Sequence, residues 1–166
     1  KKIVSEGVSW HLYPVFWLRD MVDHLNDDKN LAIYSVDGGG DTLVNMISQF
    51  DDEFEGARGA TSKKSPVTVL LNGGGNDLLG ARNYGTGKWI GNLYFHLEQY
   101  KNGMTAKQLI KPSIIGDIKA AMGLLTFMIG KLELFASVNK IVIHGYDYAF
   151  PMNDLWLGKP MKERGI

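Results

Sequence analysis

Three glycine-marked turns carry the residue types of acyl chemistry. Gly7-Val8-Ser9-Trp10 offers a hydroxyl, Gly38-Gly39-Gly40-Asp41-Thr42 offers bare backbone N–H groups, and Gly73-Gly74-Gly75-Asn76-Asp77 offers a carboxamide. A hydroxyl can attack a carbonyl carbon, and prepositioned N–H donors can hold the oxyanion that results. Each segment follows a short apolar run and precedes a helical pattern. In an open parallel sheet such strand-to-helix turns collect at the carboxyl ends of the strands, where ligands bind. The combination fits an ester-cleaving site. No histidine and carboxylate spacing resembles a metalloprotease motif, so no metal is expected.

The elements that must position these turns alternate. Lys2 to Glu6 reads as a first strand, and Pro14 opens a helical segment with Leu18, Met21, Val22 and Leu25 on one face. Leu31-Ala32-Ile33-Tyr34-Ser35-Val36 reads as a buried second strand. Leu43, Met46, Ile47, Phe50 and Phe54 then repeat at helical spacing behind Asp41 or Thr42 as N-cap. Residues 58–66 read as a polar loop, and Val67 to Leu71 as the third strand. Ile114, Ile118, Met122, Leu125, Ile129 and Leu132 form a long helical stripe before a fourth strand at residues 140–144. The order βαβαβαβ predicts an α/β fold with a parallel sheet and right-handed crossovers.

Residues 78–112 form a long connection containing Tyr84, Trp89, Tyr94, Phe95 and Tyr100. Such a length implies local helix or a binding lid, and the aromatics either close a satellite core or touch substrate. The segment at 145–156, with Tyr146, Tyr148, Phe150 and Trp156, poses the same choice. Trp10, Trp89, Tyr94 and Tyr146 are the candidate substrate contacts.

Length and composition narrow the classes. A chain of 166 residues is expected to form one domain, residues 1–166. Eighteen basic residues balance eighteen acidic ones, which disfavours nucleic acid and anionic membranes as partners. Twenty glycines, about 12% of the chain against a usual share of about 7%, sit mainly in turns. With no cysteine there is no disulfide framework and no thiolate nucleophile, a composition compatible with reducing and oxidising compartments alike. No apolar run approaches the roughly 18 residues of a membrane span. The expectation is a soluble protein, cytoplasmic or exported, whose oligomeric state the sequence leaves open.

In order along the chain, the motifs resemble those of the SGNH hydrolases, the GDSL-type esterases and lipases. Val4-Ser5-Glu6-Gly7-Val8-Ser9-Trp10 looks like their first block, Gly39-Gly40-Asp41-Thr42-Leu43 like the second, and Gly74-Gly75-Asn76-Asp77 like the third. His144-Gly145-Tyr146-Asp147-Tyr148 and Trp156-Leu157-Gly158 resemble the fourth-strand exit of a bacterial branch. The resemblance implies a three-layer α/β/α, flavodoxin-like fold and a serine esterase that needs no cofactor and acts on a small-molecule ester. It makes Ser9 the nucleophile, with an oxyanion hole from the N–H groups of Ser9 and Gly40 and the Asn76 side chain. Ser9 as a turn hydroxyl, Gly40 as relief of a tight turn and Asn76 as a helix cap are the plainer alternatives.

Two departures from the family pattern stand out. Val8 occupies the place of an aspartate that precedes the family's serine, and valine accepts no hydrogen bond. The family's base lies in a late Asp-x-x-His block that this sequence does not carry, so the chain is expected to be partial or truncated at its C-terminal side. Among the histidines present, His144 at a strand end near Asp147 is the best-placed substitute base. His11 ranks below it because it enters a loop before Pro14, while His24 and His96 suit surface or packing roles. A non-catalytic binding module or pseudoenzyme on the same fold is the alternative function. A nucleotide-binding α/β domain is a third reading, but the chain lacks both G-x-G-x-x-G and the G-K-[ST] ending.

Overall fold

The computed structural model describes residues 1–8, 11, 19–61, 65–83, 85, 87–145, 155 and 157–166. Thirteen elements follow in chain order: β1 (Lys2–Glu6), α1 (Met21–Leu25), β2 (Ala32–Ser35), α2 (Leu43–Thr61), β3 (Val67–Leu71), α3 (Gly75–Leu79), β4 (Ala81–Asn83), β5 (Trp89–Gly91), α4 (Leu93–His96), α5 (Ala106–Leu109), α6 (Ile114–Glu133), β6 (Val138–Ile143) and α7 (Gly158–Glu163). The chain divides into two compact units, one of Lys1–Gly74 with Gly123–Gly145, the other of Gly75–Met122 with Tyr146–Ile166.

The first unit holds a four-stranded, all-parallel sheet in the order β2-β1-β3-β6, with helices flanking it. This is an α/β architecture compatible with a three-layer fold. Its two inner strands are the most buried: Ile3 and Val4 of β1 and Val67, Val69 and Leu71 of β3 are buried, whereas β2 and β6 at the edges are largely half-buried or exposed. A strand flanked on both sides must satisfy a core on its faces, which is why the inner runs read so clearly. Against the sheet α2 buries Leu43, Met46, Phe50, Phe54 and Ala57. Phe50 and Phe54, one turn apart, stack at 5.4 Å, and Phe135 closes on Phe54 at 4.6 Å.

Several element boundaries differ from the sequence reading. Of the helix expected from Pro14, the described part is α1, which Asp20 caps through a reciprocal box with Asp23; Pro14 and Leu18 lie outside the described residues. Thr42, not Asp41, accepts from the Asn45 N–H as the cap of α2. That helix runs on to Thr61, through residues expected to form a loop. Strand β6 begins two residues early because a register shift accommodates Asn139 between Val138 and Lys140. Along α6, which is apolar nearly all round, Ala121, Met128 and Leu132 are buried while Met122 is 63% exposed. Of the expected stripe, Leu132 is buried, Ile114, Ile118, Leu125 and Ile129 are half-buried, and Met122 alone is exposed.

The second unit contains the antiparallel hairpin β4–β5 and short helices, which supply the local structure expected in residues 78–112. Asn92 donates from its side chain to the Asp77 carbonyl and from its backbone to the Gly80 carbonyl. Among the described residues no helix is long and apolar enough to cross a membrane.

Candidate active site

At the carboxyl edge of the parallel sheet, the chain continues its ladder past the strand ends. Val36 N–H donates to Ser5 O, Gly38 N–H to Gly7 O, Asn72 N–H to Glu6 O and His144 N–H to Leu71 O, all at 2.9–3.1 Å. Each strand thus delivers a polar residue to a common edge: Ser5 and Glu6 from β1, Ser35 and Asp37 from β2, Asn72 from β3 and His144 from β6. Because β2 and β3 lie on opposite sides of β1, this edge is also where the sheet order reverses direction, the usual crevice for a ligand in such sheets.

A hydrogen-bonded group centred on Asp37 occupies this edge. One carboxylate oxygen accepts from Ser5 Oγ at 2.9 Å and from His11 Nδ1 at 2.9 Å, and the other accepts from Ser35 Oγ. Ser5 Oγ is itself 3.0 Å from His11 Nδ1. Both the His11 and Asp37 side chains are 0% exposed. The carboxylate on Nδ1 fixes the tautomer, so the proton sits there and the lone pair sits on Nε2. His11 Nε2 is shielded from solvent and has no hydrogen-bond partner among the described residues. An unpaired buried polar atom costs about 1–3 kcal/mol, so such atoms persist for a reason.

Glycine makes the seat for this ring. A Cβ at Gly7 would lie 2.3 Å from His11 Nδ1 and 2.7 Å from its Cγ, so any side chain there would push the imidazole off Asp37. The backbone bond from His11 N–H to Val8 O, at 2.8 Å, holds the ring's own main chain.

His144 lies 6.0 Å from His11, centroid to centroid. Asn72 Nδ2 donates to the His144 carbonyl and to its Nδ1, both at 2.9 Å. That arrangement consumes the Nδ1 lone pair and puts the proton of neutral His144 on Nε2. Burial lowers the His144 pKa below the ordinary imidazole value, and the neighbouring His11 lowers it further. Glu6 is only 4% exposed, and its pKa rises to about 9, chiefly by burial and then by the charges of Glu53, Asp37 and Asp41. It is therefore a neutral acid at physiological pH.

Of the residues singled out in the sequence, Ser9, Trp10 and Tyr146 lie outside the described residues. Gly40 is an exposed turn residue with φ +91, a left-handed conformation that favours glycine. Both Gly40 and His144 belong to the first unit; Asn76, Trp89 and Tyr94 belong to the second. Asn76 stands inside α3, one residue past its start, instead of ahead of it as a cap. Trp89 is 55% exposed on β5, where its carbonyl accepts from Lys159 Nζ. Tyr94 is held by Arg164, whose guanidinium lies 3.8 Å from the ring centroid and donates twice to the Tyr94 carbonyl. His24 is exposed on α1, and His96 is buried with Nε2 3.4 Å from Asp117. No cluster among the described residues is arranged to hold a metal ion.

No family model, curated protein or solved structure matches this chain. The geometry therefore carries the functional argument. Asp37, Asn72 and Glu6 were the residues that sequence reasoning passed over. The available signal was a polar residue at or directly after an apolar run: Asp37 after Val36, Asn72 after Leu71, Glu6 at the end of β1.

Proposed function

We propose that this chain is a serine ester hydrolase of the SGNH type, with Ser9 as nucleophile and a small-molecule ester as substrate. The supporting observation is that all four parallel strands lead polar residues to one edge of the sheet, among them Asp37, buried against His11, which stands two residues after Ser9 in the sequence. In the proposed reaction Ser9 Oγ attacks the ester carbonyl, the alcohol departs, and water releases the acyl group from Ser9. The family resemblance assigns the oxyanion to the N–H groups of Ser9 and Gly40 and to the Asn76 carboxamide. No cofactor is required by this chemistry.

A p-nitrophenyl acetate assay tests the reading. Ser9→Ala should reduce hydrolysis to the level of oxyanion stabilisation and binding alone, which can still exceed the uncatalysed rate by about 10³–10⁴. A fluorophosphonate probe should label Ser9 and no other residue. Hydrolysis unchanged in Ser9→Ala would exclude Ser9 as nucleophile.

A second reading, a binding module on the same fold, is favoured by Val8, which is buried and apolar where the resemblance places an acid. Ester ligands that raise the melting temperature without being hydrolysed would select it.

A further inference from the structure

We propose that His96 is an acid-released latch: its neutral ring keeps residues 97–111 folded back on α4, and its protonation loosens that segment. All the residues involved belong to the second unit, and none takes part in the proposed esterase chemistry. Residues 97–111 form a loop that contains α5 and closes on itself at the antiparallel bridge of Leu97 with Ile110. Two backbone bonds of 2.8 Å make the closure, Glu98 N–H to Leu109 O and Lys111 N–H to His96 O. The neck of the loop is therefore fastened to the main chain of His96.

The His96 side chain occupies a place that suits one proton and not two. The residue is 4% exposed, and its Nε2 lies 3.4 Å from the carboxylate of Asp117 in the first turn of α6. Its Nδ1 is shielded from solvent and has no hydrogen-bond partner among the described residues. A neutral ring can carry its proton on Nε2, toward Asp117, and leave Nδ1 as a bare lone pair. The imidazolium carries a proton on both nitrogens, so it buries an N–H without an acceptor together with a positive charge. The charged groups around the ring are Asp117 from α6, Arg82 from β4 and Lys111 from the end of the loop. Asp117 favours the cation, but its side chain is 57% exposed and water weakens its pull, while Arg82 and Lys111 oppose protonation. Burial is the largest influence, and it holds the His96 pKa below the ordinary 6.5.

A depressed imidazole pKa fixes the direction of the response. Above 6.5 the ring is neutral whether the segment is closed or open, and closure is at its most stable. As pH falls below that value the open form takes up a proton that the closed form refuses. The opening constant then rises, by up to about tenfold per pH unit, until the pKa of the closed ring is reached.

Amide hydrogen exchange of the whole chain tests the latch, read at Glu98 and Lys111 and normalised to the intrinsic exchange rate at each pH. In the parent, protection of both amides should fall by about tenfold between about pH 7.5 and about pH 5; in His96→Gln, which has no imidazole to titrate, it should stay within about twofold. The His96 ring, followed in the parent by its Cε1 proton resonance, should titrate with a midpoint below 6.5. Asp117→Asn removes the carboxylate that favours the cation, so it should lower that midpoint further and carry the loss of protection to lower pH. The parent midpoint and the Asp117→Asn shift decide the matter if His96→Gln fails to fold. An equal loss of protection in parent and His96→Gln, protection that does not respond to pH, or a His96 midpoint at or above 6.5 would each overturn the proposal.

Discussion

Glu6 is a carboxylic acid kept neutral by its position, and its protonation couples folding to pH. Its folded-state pKa of about 9 stands above the ordinary value of 4.5. Below the lower value both folded and unfolded chains hold the proton, so the residue makes no difference. Between the two values the unfolded chain releases the proton and the folded chain keeps it, so stability falls with rising pH by up to about 1.4 kcal/mol per unit. Above the folded pKa the loss levels off. Glu6→Gln removes the titration, so its stability relative to the parent should rise from about pH 5 to about pH 8 in urea unfolding. A difference independent of pH would show that Glu6 is already ionised in the fold. Little at this scale was legible in the sequence. Ser5 and Glu6 look like ordinary strand residues, and Asp37 looks like a turn former; only strand order brings Asp37 to Ser5 and His11. Distance along the chain also does not reveal which imidazole nitrogen a neighbour occupies, as Asn72 does at His144 Nδ1.

At the scale of elements, the sequence spoke most clearly where burial is two-sided. The runs of β1 and β3 match their strands residue for residue, because every position there faces either a core or a ladder. The β6 boundary was less legible, since the register shift at Asn139 interrupts the apolar pattern before the strand does. The end of α2 was hidden by its composition: residues 58–61 carry no apolar stripe to mark a helix, yet the backbone stays helical to Thr61. What fixes α2 in place is the Phe50, Phe54 and Phe135 cluster, reinforced by Lys131, which pairs with Asp51 at 2.8 Å and lies over the Phe50 ring. The exposed ion pair adds little by itself, whereas removing a buried aromatic ring costs about 3–5 kcal/mol. Phe54→Ala should therefore lower the unfolding free energy by about that amount in urea titration. A loss below about 1 kcal/mol would mean that the three rings are not packed as a unit.

For the molecule as a whole, balanced charge sets the expectation for encounter with ligand. With eighteen positive and eighteen negative side chains there is no net field to draw in an ion of either sign. Under the proposed activity, kcat/KM for a neutral aryl ester should change by less than about twofold between low and high salt, because screening acts only where long-range fields exist. A steep salt dependence would reveal a local charged funnel that the overall balance conceals. The strand order also bears on how fast the sheet can form. β1 precedes both of its neighbours in the chain, pairing with residues 32–35 and 67–71, and β3 must in turn wait for 138–143. Such distant pairings demand loop closures whose entropy is lost before the contacts repay it, so this sheet belongs among slow-forming topologies. The Asp37–His11 pair joins segments on opposite sides of the first crossover, and it can assemble as soon as β2 docks on β1. The innermost polar contact of the edge is thus available early, while His144 arrives only with the last strand.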